Sequence, residues 1–350
     1  MAHILPVILA GGASSRLWPL SDRNHPKWDV RLLGSRSLLE EAWQRAVRLA
    51  PAEDCLIVAG VNHAPRIKGC LPDLPAKNLI LEPEGRDTAG AVAFAAGVLS
   101  ARDPDGIMLM MPSDHLIEDV KAFTHCAKTA AEAAASKGAL ATFGLPTRSP
   151  ATCYGYIHRG EKLDHAYRVQ AFKEKPDLPT AEEYVLSEEY YWNSGIFAFH
   201  LKTLCDEFKR QAPAHSALIE ALIQAKDAGA IETALQTHFL PLEKTSIDYA
   251  VMEHAQNVLV VPAEFDWDDI GSWRAVGDHL PKRDGQTIGP DARVETLNAS
   301  GNLILAPGRR VALIGVDGLA VVDSPQGLLI CRLDQDQMVK QIAQRMEIDK

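Results

Sequence analysis

Short apolar runs alternate with helix-forming runs from Ile4 to Gly144, and this alternation constrains the fold more than any other feature of the sequence. Five runs have the length and composition of buried strands: Ile4–Ala10, Leu56–Ala59, Leu79–Leu81, Ile107–Met111 and Leu140–Gly144. Helix-forming stretches separate them, and the first begins at the capping-box sequence Ser37-Leu-Leu-Glu40. Strands joined through helices run parallel in one sheet. The pattern therefore predicts an α/β fold with a mostly parallel sheet and helices on both faces.

The rhythm changes after this region. Three strand-like runs are separated by loops, which predicts a pocket wall beside the sheet: Tyr154–His158, Arg168–Phe172 and Gly195–Leu201. Helix-forming segments return at Leu201–Lys209, Ser216–Ala228 and Ser246–Ala255. Beyond residue 285, turn sequences recur between short apolar runs, and a final helix-forming segment covers Asp334–Met346. We therefore predict a domain of residues 1–284 and a small β-rich domain of residues 285–350.

Composition narrows the class of protein. The chain has 350 residues, 47% of them hydrophobic, and a net charge of −10 without a long basic stripe, which argues against nucleic acid or an anionic membrane as a partner. Its six cysteines form no C-x-x-C pair, so we expect buried, reduced thiols rather than a zinc site. No apolar run is long enough to span a bilayer, and the start lacks the charged segment of a signal peptide. We therefore expect a soluble, cytoplasmic protein.

The loop after the first strand has the character of a phosphate-binding turn. Gly11 and Gly12 allow the backbone to approach a ligand closely, so that N–H groups cradle phosphate oxygens. Arg16 and Lys27 add positive charge nearby. The sequence matches neither the Walker loop nor the dinucleotide-binding fingerprint. A simple tight turn is the alternative interpretation of the two glycines.

Two acidic positions could hold a metal ion. Asp114 follows the apolar run Ile107–Met111, where open α/β sheets bind ligands, although an aspartate that caps the next turn would look the same. The segment Asp266–Asp269 contains three acids, which repel one another unless they are hydrogen-bonded or share a cation; a solvated acidic turn is the alternative. One of these acids together with Asp114 would suit Mg²⁺, which uses one or two carboxylates and substrate phosphates.

Three further segments carry groups that could recognise a sugar or a base. Lys175 could meet a second phosphate, while Glu174 and Asn193 could bind sugar hydroxyls. Glu82 and Arg86 precede a helix and offer a carboxylate and a guanidinium, and a carboxylate would accept the N–H donors of guanine. A charged hairpin end and a capped strand-to-helix loop are the corresponding structural alternatives.

Taken together, these segments resemble the mannose-1-phosphate guanylyltransferases, which are sugar-phosphate nucleotidyltransferases. The resemblance covers nearly the whole chain and follows the family's order of motifs: Leu9–Ser21 with Pro26-Lys27, Glu82–Ala91, Pro112–His115, Tyr154–Ile157, Phe172–Pro176, Trp192–Phe199, Ser246–Glu253, Trp267–Trp273 and the tail Asn302–Met346. It implies a Rossmann-like nucleotidyltransferase fold with a β-rich C-terminal part, and the substrates GTP and mannose 1-phosphate.

The resemblance also implies roles for individual residues. Catalysis would involve Arg16, Lys27, Asp114 and Asp269. Nucleotide contacts would come from Gly11, Gly12, Arg16, Lys27 and Asp114, with Glu82 and Arg86 in the base-recognition segment. The sugar phosphate would be bound by Gly155, Glu174, Lys175 and Asn193. The cofactor would be Mg²⁺ on Asp114 and Asp269.

The sequence departs from the family pattern at six positions near these motifs: Ser14, Trp28, Asp87, Gly90, Ala151 and Cys153. These departures leave the choice of nucleotide and sugar open, so the same reaction with another nucleotide or another hexose or heptose 1-phosphate is an alternative. A non-catalytic nucleotide-binding paralogue is a second alternative, and a nicotinamide oxidoreductase is opposed by the missing glycine fingerprint. For the β-rich tail, packing on the catalytic domain and formation of a homodimer both remain open.

The chemistry that the resemblance implies needs no general base. A phosphomonoester has a second pKa of about 6, so the sugar phosphate is mostly dianionic at pH 7 and can attack the α-phosphorus of the triphosphate directly. The main obstacle is repulsion between two anions, and catalysis is expected to consist of positioning and charge neutralisation.

Overall fold

The computed structural model describes residues 2–12, 15–22, 24–32 and 34–348. The chain forms two compact units, and each unit is assembled from separated segments of sequence. The first unit contains the residues up to Gly11, Ala42–Ser113 and Ile117–Trp267. The second contains Gly12–Glu41, Asp114–Leu116 and the residues from Asp268 onward. The domain boundary after residue 284 stays a prediction.

A nine-stranded sheet forms the framework of the first unit. In chain order its strands are β1 (Ile4–Ala10), β2 (Leu56–Gly60), β3 (Leu79–Glu82), β4 (Ile107–Pro112), β5 (Leu140–Pro146), β6 (Gly155–Leu163), β7 (Ala166–Glu174), β8 (Tyr190–His200) and β9 (Val258–Pro262). Their spatial order is β3-β2-β1-β4-β8-β5-β9-β7-β6, with an additional pairing of β8 with β6.

The prediction of a mostly parallel sheet is wrong. Strands β1 to β4 are parallel to one another, as the helical connections between them require, and β5 is parallel to β9. The other five pairings are antiparallel: β4 with β8, β5 with β8, β6 with β7, β6 with β8, and β7 with β9. The strand-like runs expected beside the sheet are therefore part of it. The tight hairpin between β6 and β7 and the insertion of β8 between β4 and β5 produce the mixed sheet.

Helices α1 to α8 precede or connect these strands: α1 (Leu38–Ala46), α2 (Ala64–Cys70), α3 (Asp87–Ser100), α4 (Val120–Lys137), α5 (Leu178–Ser187), α6 (Leu201–Gln211), α7 (Pro213–Gln224) and α8 (Ala228–Ala234). The predicted capping box before α1 is confirmed, since Ser37 N donates to Glu40 Oε2 at 2.7 Å and Glu40 N donates to Ser37 Oγ at 3.3 Å. Residues Ser246–Ala255 contain only a π-helical turn, Asp248–Met252.

One apolar core cluster holds the first unit together. It joins strand residues such as Val7, Met108 and Phe197 to the almost fully buried helix α3 and to residues of α6 and α7. Because β1, β2 and β4 are buried along nearly their whole length, only their ends offer polar groups to a ligand.

The second unit is rich in short strands, as predicted for the C-terminal region. They are β10 (Lys282–Arg283), β11 (Gln286–Ile288), β12 (Arg293–Leu297), β13 (Leu303–Leu305), β14 (Arg310–Ile314), β15 (Leu319–Ser324) and β16 (Gly327–Arg332), with α9 (Trp273–Asp278) before them and α10 (Val339–Ile348) after them. Leu303 pairs in parallel with Ala320, and Arg293 with Arg310, so successive coils of chain are 17 residues apart.

The apolar cluster of the second unit combines the start of the sequence with its C-terminal part. Leu17 and Trp18 pack in one cluster with Trp273, Leu303 and Ala320. The indole Nε1 of Trp273 donates to the carbonyl oxygen of Trp18 at 3.3 Å. The segment that carries Arg16 is thus anchored by a residue that lies 255 positions after Trp18 in the chain.

Two expectations about the whole chain can be compared with the structure. The thiols of Cys55 and Cys126 are buried, but Cys153 is exposed, so the expectation of burial is wrong for that residue. Within the described ranges, no helix is long and apolar enough to cross a membrane.

Candidate active site

The loop after β1 has the open backbone that its glycines predict. Gly12 has a φ of +86°, in the left-handed region where side chains are disfavoured. A Cβ atom on Gly11 or Gly12 would have no described atom within 4 Å, so the space beside this backbone is open. Ser14 lies outside the described residues. Arg16 follows in a short 3₁₀ turn and its side chain is exposed.

Three predicted site residues from distant parts of the sequence meet in the second unit. The Lys27 side chain is only 7% exposed, and its Nζ lies 2.8 Å from Asp114 Oδ2. The same ammonium donates a hydrogen bond to the backbone carbonyl oxygen of Asp269. One cation is therefore held between a carboxylate and a carbonyl oxygen.

A backbone pairing brings these acids together. Leu116 N donates to the Asp268 carbonyl at 2.9 Å, and Asp268 N donates to the Leu116 carbonyl at 3.1 Å. This antiparallel bridge aligns the chain after Asp114 with the chain before Asp269. The proximity of Asp114 and Asp269 thus arises from a backbone pairing between distant segments, which the spacing of residues in the sequence does not reveal.

The three acids of segment 266–269 have different environments. Asp266 accepts hydrogen bonds from the backbone N–H groups of Glu118 and Asp119, both at 2.7 Å. Asp268 accepts one from Ile270 N at 2.7 Å and contacts His279 Nε2 at 2.9 Å. Asp266 and Asp268 therefore stabilise the local backbone, and Asp269 is the acid whose main chain contacts Lys27.

The electrostatics around Asp114 favour its ionised form. Burial alone would raise its pKa, but the positive charge of Lys27, aided by His115 and by the Lys27 hydrogen bond, lowers that pKa below its ordinary value. Asp114 is therefore a carboxylate at neutral pH, which is the form that binds a cation.

The residues present fit a divalent cation that uses few protein ligands. The Lys27 ammonium already lies between an Asp114 oxygen and an Asp269 oxygen, so this locus favours positive charge. Among the described residues, no group of three or more His, Cys, Asp or Glu side chains could hold a metal by itself. Asp114 and Asp269 would therefore hold Mg²⁺ only together with phosphate oxygens and water, which is its usual coordination.

A second polar cluster lies in the first unit, where β6, β7 and β8 meet. Gly155 is paired with Glu174 across β6 and β7, and a Cβ atom on Gly155 would lie 2.4 Å from Glu174 Oε2 and 3.4 Å from Asn193 Cβ. A side chain at this position would therefore displace the Glu174 carboxylate. Glu174 is 10% exposed and accepts a hydrogen bond from the Lys175 ammonium, which is 59% exposed. The structure thus brings together all four residues assigned to the sugar phosphate.

Sequence reasoning missed one member of this cluster. Asp248, in the π-helical turn Asp248–Met252, accepts a hydrogen bond from Asn193 Nδ2 at 3.0 Å. Burial raises the pKa of Asp248 to about 6, and the nearby Glu174 carboxylate adds to that shift. The segment Ser246–Glu253 matches a motif of the family, but no local pattern indicates which of its side chains contacts Asn193.

Glu82 has the environment of a ligand-binding carboxyl group. It ends β3, is 7% exposed, and its Oε1 has no hydrogen-bond partner among the described residues. Burial, together with the negative charge of Asp87, raises its pKa to about 7. A buried oxygen without a partner is costly, which makes it a strong acceptor for a ligand donor.

Arg86 has a structural role in the described conformation. Its guanidinium donates to the Leu240 carbonyl through Nε at 3.0 Å and also through Nη2, and its Nη1 lies 3.0 Å from Glu84 Oε1. These contacts hold the loop before α3 against the chain near residue 240. The nucleotide-binding role of Arg86 stays a prediction, because these contacts show only how its guanidinium is held.

Departures from the family pattern have local explanations at two positions. Trp28 is 1% exposed and belongs to the packed interior. Asp87 has a φ of +61°, a conformation that aspartate and asparagine both tolerate, so Asp in place of Asn preserves the turn. Nothing in the structure explains the choice of Ala151 or Cys153.

Comparison with known proteins shows which family this chain is similar to. The Nucleotidyl transferase family model matches residues 5–282, and the model of the MannoseP isomerase/GMP-like beta-helix domain matches residues 292–346. A mannose-1-phosphate guanylyltransferase of Klebsiella pneumoniae is 37% identical over 345 residues, which make up 96% of this chain and 72% of the relative. The chain belongs to the mannose-1-phosphate guanylyltransferase family.

Other similar proteins support the same family. The xanthan biosynthesis protein XanB of Xanthomonas campestris is 37% identical over 350 residues, or 99% of this chain and 74% of the relative. A solved structure from Thermus thermophilus, described as a mannose-1-phosphate geranyltransferase, superposes with a TM-score of 0.88 at 32% identity and covers 98% of this chain and 99% of its own. The guanylyltransferase family thus accounts for both the mixed α/β part and the β-rich part.

Proposed function

We propose that this chain transfers a guanylyl group from GTP to α-D-mannose 1-phosphate, giving GDP-mannose and pyrophosphate. The observation that carries the proposal is the convergence of Lys27, Asp114 and Asp269, in a chain that shares 37% identity with guanylyltransferases over nearly its whole length. Lys27 and Asp114 place opposite charges next to each other, and a reaction between two phosphate groups requires such charge neutralisation.

In the proposed mechanism, a phosphate oxygen of mannose 1-phosphate attacks the α-phosphorus and pyrophosphate leaves. The attacking oxygen is already anionic, so no side chain has to remove a proton. Lys27 neutralises the nucleotide phosphates and Arg16 neutralises the charge that grows on the departing pyrophosphate. The backbone of Gly11 and Gly12 is open to the nucleotide.

Asp114 and Asp269 are the residues that would hold Mg²⁺. When bound there, the ion would supply Lewis-acid polarisation of phosphate oxygens. The lowered pKa of Asp114 keeps this carboxyl ionised at neutral pH.

Recognition of the sugar phosphate and of the base is assigned to two other parts of the site. Gly155, Glu174, Lys175 and Asn193 bind the sugar phosphate, with the exposed Lys175 ammonium for phosphate and the carboxylate and amide for hydroxyls. Glu82 accepts the N–H donors of guanine through its unpartnered oxygen. We further propose that the protein acts in the cytoplasm, that residues 285–350 form a separate domain, and that the chain assembles as a homodimer.

Pyrophosphate release tests the function directly. Purified protein is assayed with Mg²⁺ across a grid of nucleoside triphosphates and sugar 1-phosphates. Release with GTP and mannose 1-phosphate alone supports the proposal. Release with a different pair keeps the reaction class but changes the substrates, and nucleotide binding without release in any combination favours a non-catalytic paralogue.

The role of Arg16 has its own test. Replacing Arg16 by Ala removes one donor that acts as pyrophosphate leaves, so kcat is expected to fall about 10²–10³-fold with a smaller change in KM. An unchanged kcat would exclude this role. Arg66, on α2 in the other unit, provides a matched Arg→Ala control.

A further inference from the structure

Asp248 occupies a defined place between two segments of the first unit. Ile247 N donates to Thr88 Oγ1 at 2.8 Å, and Ala89 N donates to the Thr245 carbonyl at 3.1 Å. The chain before Asp248 is therefore fixed on the first turn of α3. The side chain of Asp248 contacts Asn193 on β8. The position of Asp248 is therefore held both by its preceding backbone and by its side chain.

The contacts of Asn193 determine the orientation of its carboxamide. Gly195 N donates to Asn193 Oδ1 at 3.2 Å, and Thr142 Oγ1 lies 3.2 Å from the same oxygen. The oxygen end of the amide is thus occupied by donors. Asp248 Oδ1 accepts from Nδ2 at 3.0 Å, and a carboxylate can only be an acceptor for this group.

We propose that Asp248 is a positioning residue for the sugar-phosphate substrate: it holds the Asn193 carboxamide so that the second N–H of this amide is offered to a hydroxyl of the hexose. The inference rests on the proposed function of the Gly155, Glu174, Lys175 and Asn193 cluster. Without Asp248, the amide keeps its oxygen contacts but loses the acceptor that fixes its NH₂ end.

The surroundings of Asp248 support a role in binding rather than in stability. Glu174 and Lys175 both interact electrostatically with Asp248, so two carboxylates, one ammonium and one amide share a small region. A hydroxyl-rich ring with a phosphate offers donors to the carboxylates and an anion to the ammonium. The Lys175 ammonium pairs with Glu174, so this cluster holds one carboxylate more than its single ammonium balances.

Asp248→Ala and Asp248→Asn test this inference as a pair. Asp248→Ala removes the acceptor, and KM for mannose 1-phosphate is expected to rise at least tenfold while KM for GTP stays within about twofold. In Asp248→Asn an amide oxygen can still accept from Asn193 Nδ2, so KM for mannose 1-phosphate is expected to return to within about threefold of the wild-type value. Asp227→Ala is the matched control, because Asp227 accepts from Ala230 N at the start of α8 and a structural loss there leaves both KM values unchanged.

Calorimetric binding of mannose 1-phosphate, without turnover, separates this inference from the proposed function. Weaker binding in Asp248→Ala with recovery in Asp248→Asn supports the positioning role even when the nucleotide specificity proves different. Equal affinities of wild type and Asp248→Ala would overturn it. So would an equal rise in both KM values, or an Asp248→Asn variant as defective as Asp248→Ala.

Discussion

The pairing of Lys27 with Asp114 gives the sharpest prediction about the energetics of this protein. In a double-mutant cycle, Lys27→Met and Asp114→Asn are made singly and together. Each single change leaves a partner that has lost its hydrogen-bonded counter-charge, whereas the double variant leaves neither charge. The coupling free energy of the cycle therefore reports the ion pair itself.

The exposure of the two side chains sets the expected magnitude. Exposed ion pairs contribute about 0–1 kcal/mol, while removal of one partner from a fully buried pair costs about 3–5 kcal/mol. Lys27 is 7% exposed and Asp114 is 32% exposed, with 2.8 Å between Nζ and Oδ2. The pair lies between these limits, so we expect a coupling of about 1–3 kcal/mol.

Urea unfolding followed by tryptophan fluorescence measures the four free energies, and Trp18, Trp28 and Trp273 are buried reporters in the same unit. Because the pKa of Asp114 is lowered in the folded protein, the coupling is present above the unfolded-state pKa and is lost as pH falls through the folded-state pKa. The pair Arg36–Glu41, at 3.5 Å with both side chains exposed, serves as the control and is expected to show little coupling.

Additivity would refute this reasoning. If the two single effects sum to the double effect within about 0.5 kcal/mol, Lys27 and Asp114 do not stabilise one another in solution. A coupling that persists at pH values below the Asp114 pKa would equally show that it does not arise from charge.

Three other predictions follow from particular contacts. Gly155→Ala places a Cβ atom 2.4 Å from Glu174 Oε2, so KM for the sugar phosphate is expected to rise at least tenfold. Gly60→Ala is the control, because the nearest atom to its Cβ would be at 3.8 Å. Equal KM values in both variants would contradict the assignment of Gly155 to the sugar-phosphate site. The side chain of Asn302 forms hydrogen bonds with Gln286, Val316 and Leu319 within the β-rich part. Asn302→Ala removes these hydrogen bonds and is expected to lower the free energy of unfolding by about 2–4 kcal/mol. A loss below about 1 kcal/mol in urea titrations would argue against a stabilising role of these hydrogen bonds. Burial lowers the pKa of His215, whose ring stacks on Phe208, so wild-type stability is expected to decline as pH falls through the ordinary histidine range, where the unfolded chain takes up the proton. His215→Leu should flatten this decline between about pH 7.5 and 5.5, and an unchanged pH slope in urea titrations would count against it.

Local sequence signals determined much of the secondary structure. The capping box at Ser37 and the apolar run before Pro112 specify elements through hydrogen bonds and burial that depend on residues close in sequence. The turn at Gly12 is likewise local, because its φ of +86° favours a residue without a Cβ atom. The candidate site residues could also be predicted from the sequence, because the order of the family motifs along the chain identifies each of these residues.

The direction and pairing of the strands could not be predicted from local sequence patterns. The sequence predicts a strand at Gly195–Leu201, which overlaps β8, but the antiparallel insertion of β8 between β4 and β5 depends on which apolar faces pack best in three dimensions. Asp248 was missed for the same reason, since its partner Asn193 lies 55 residues away in sequence. Arg86 and Glu82 also show the limit of motif reasoning, because burial leaves one with an unpartnered oxygen and directs the other to a backbone carbonyl.

The sequence by itself determined the elements, the family and the chemical types of the candidate residues, because hydrophobic periodicity, caps and motif order are properties of short segments. Only the tertiary structure decided that Lys27 contacts Asp114 and Asp269, and that Asp266 and Asp268 instead hold backbone N–H groups. Hydrogen bonds and ion pairs require distances near about 3 Å, and such distances between remote segments arise only when strand pairing and core packing have fixed the chain.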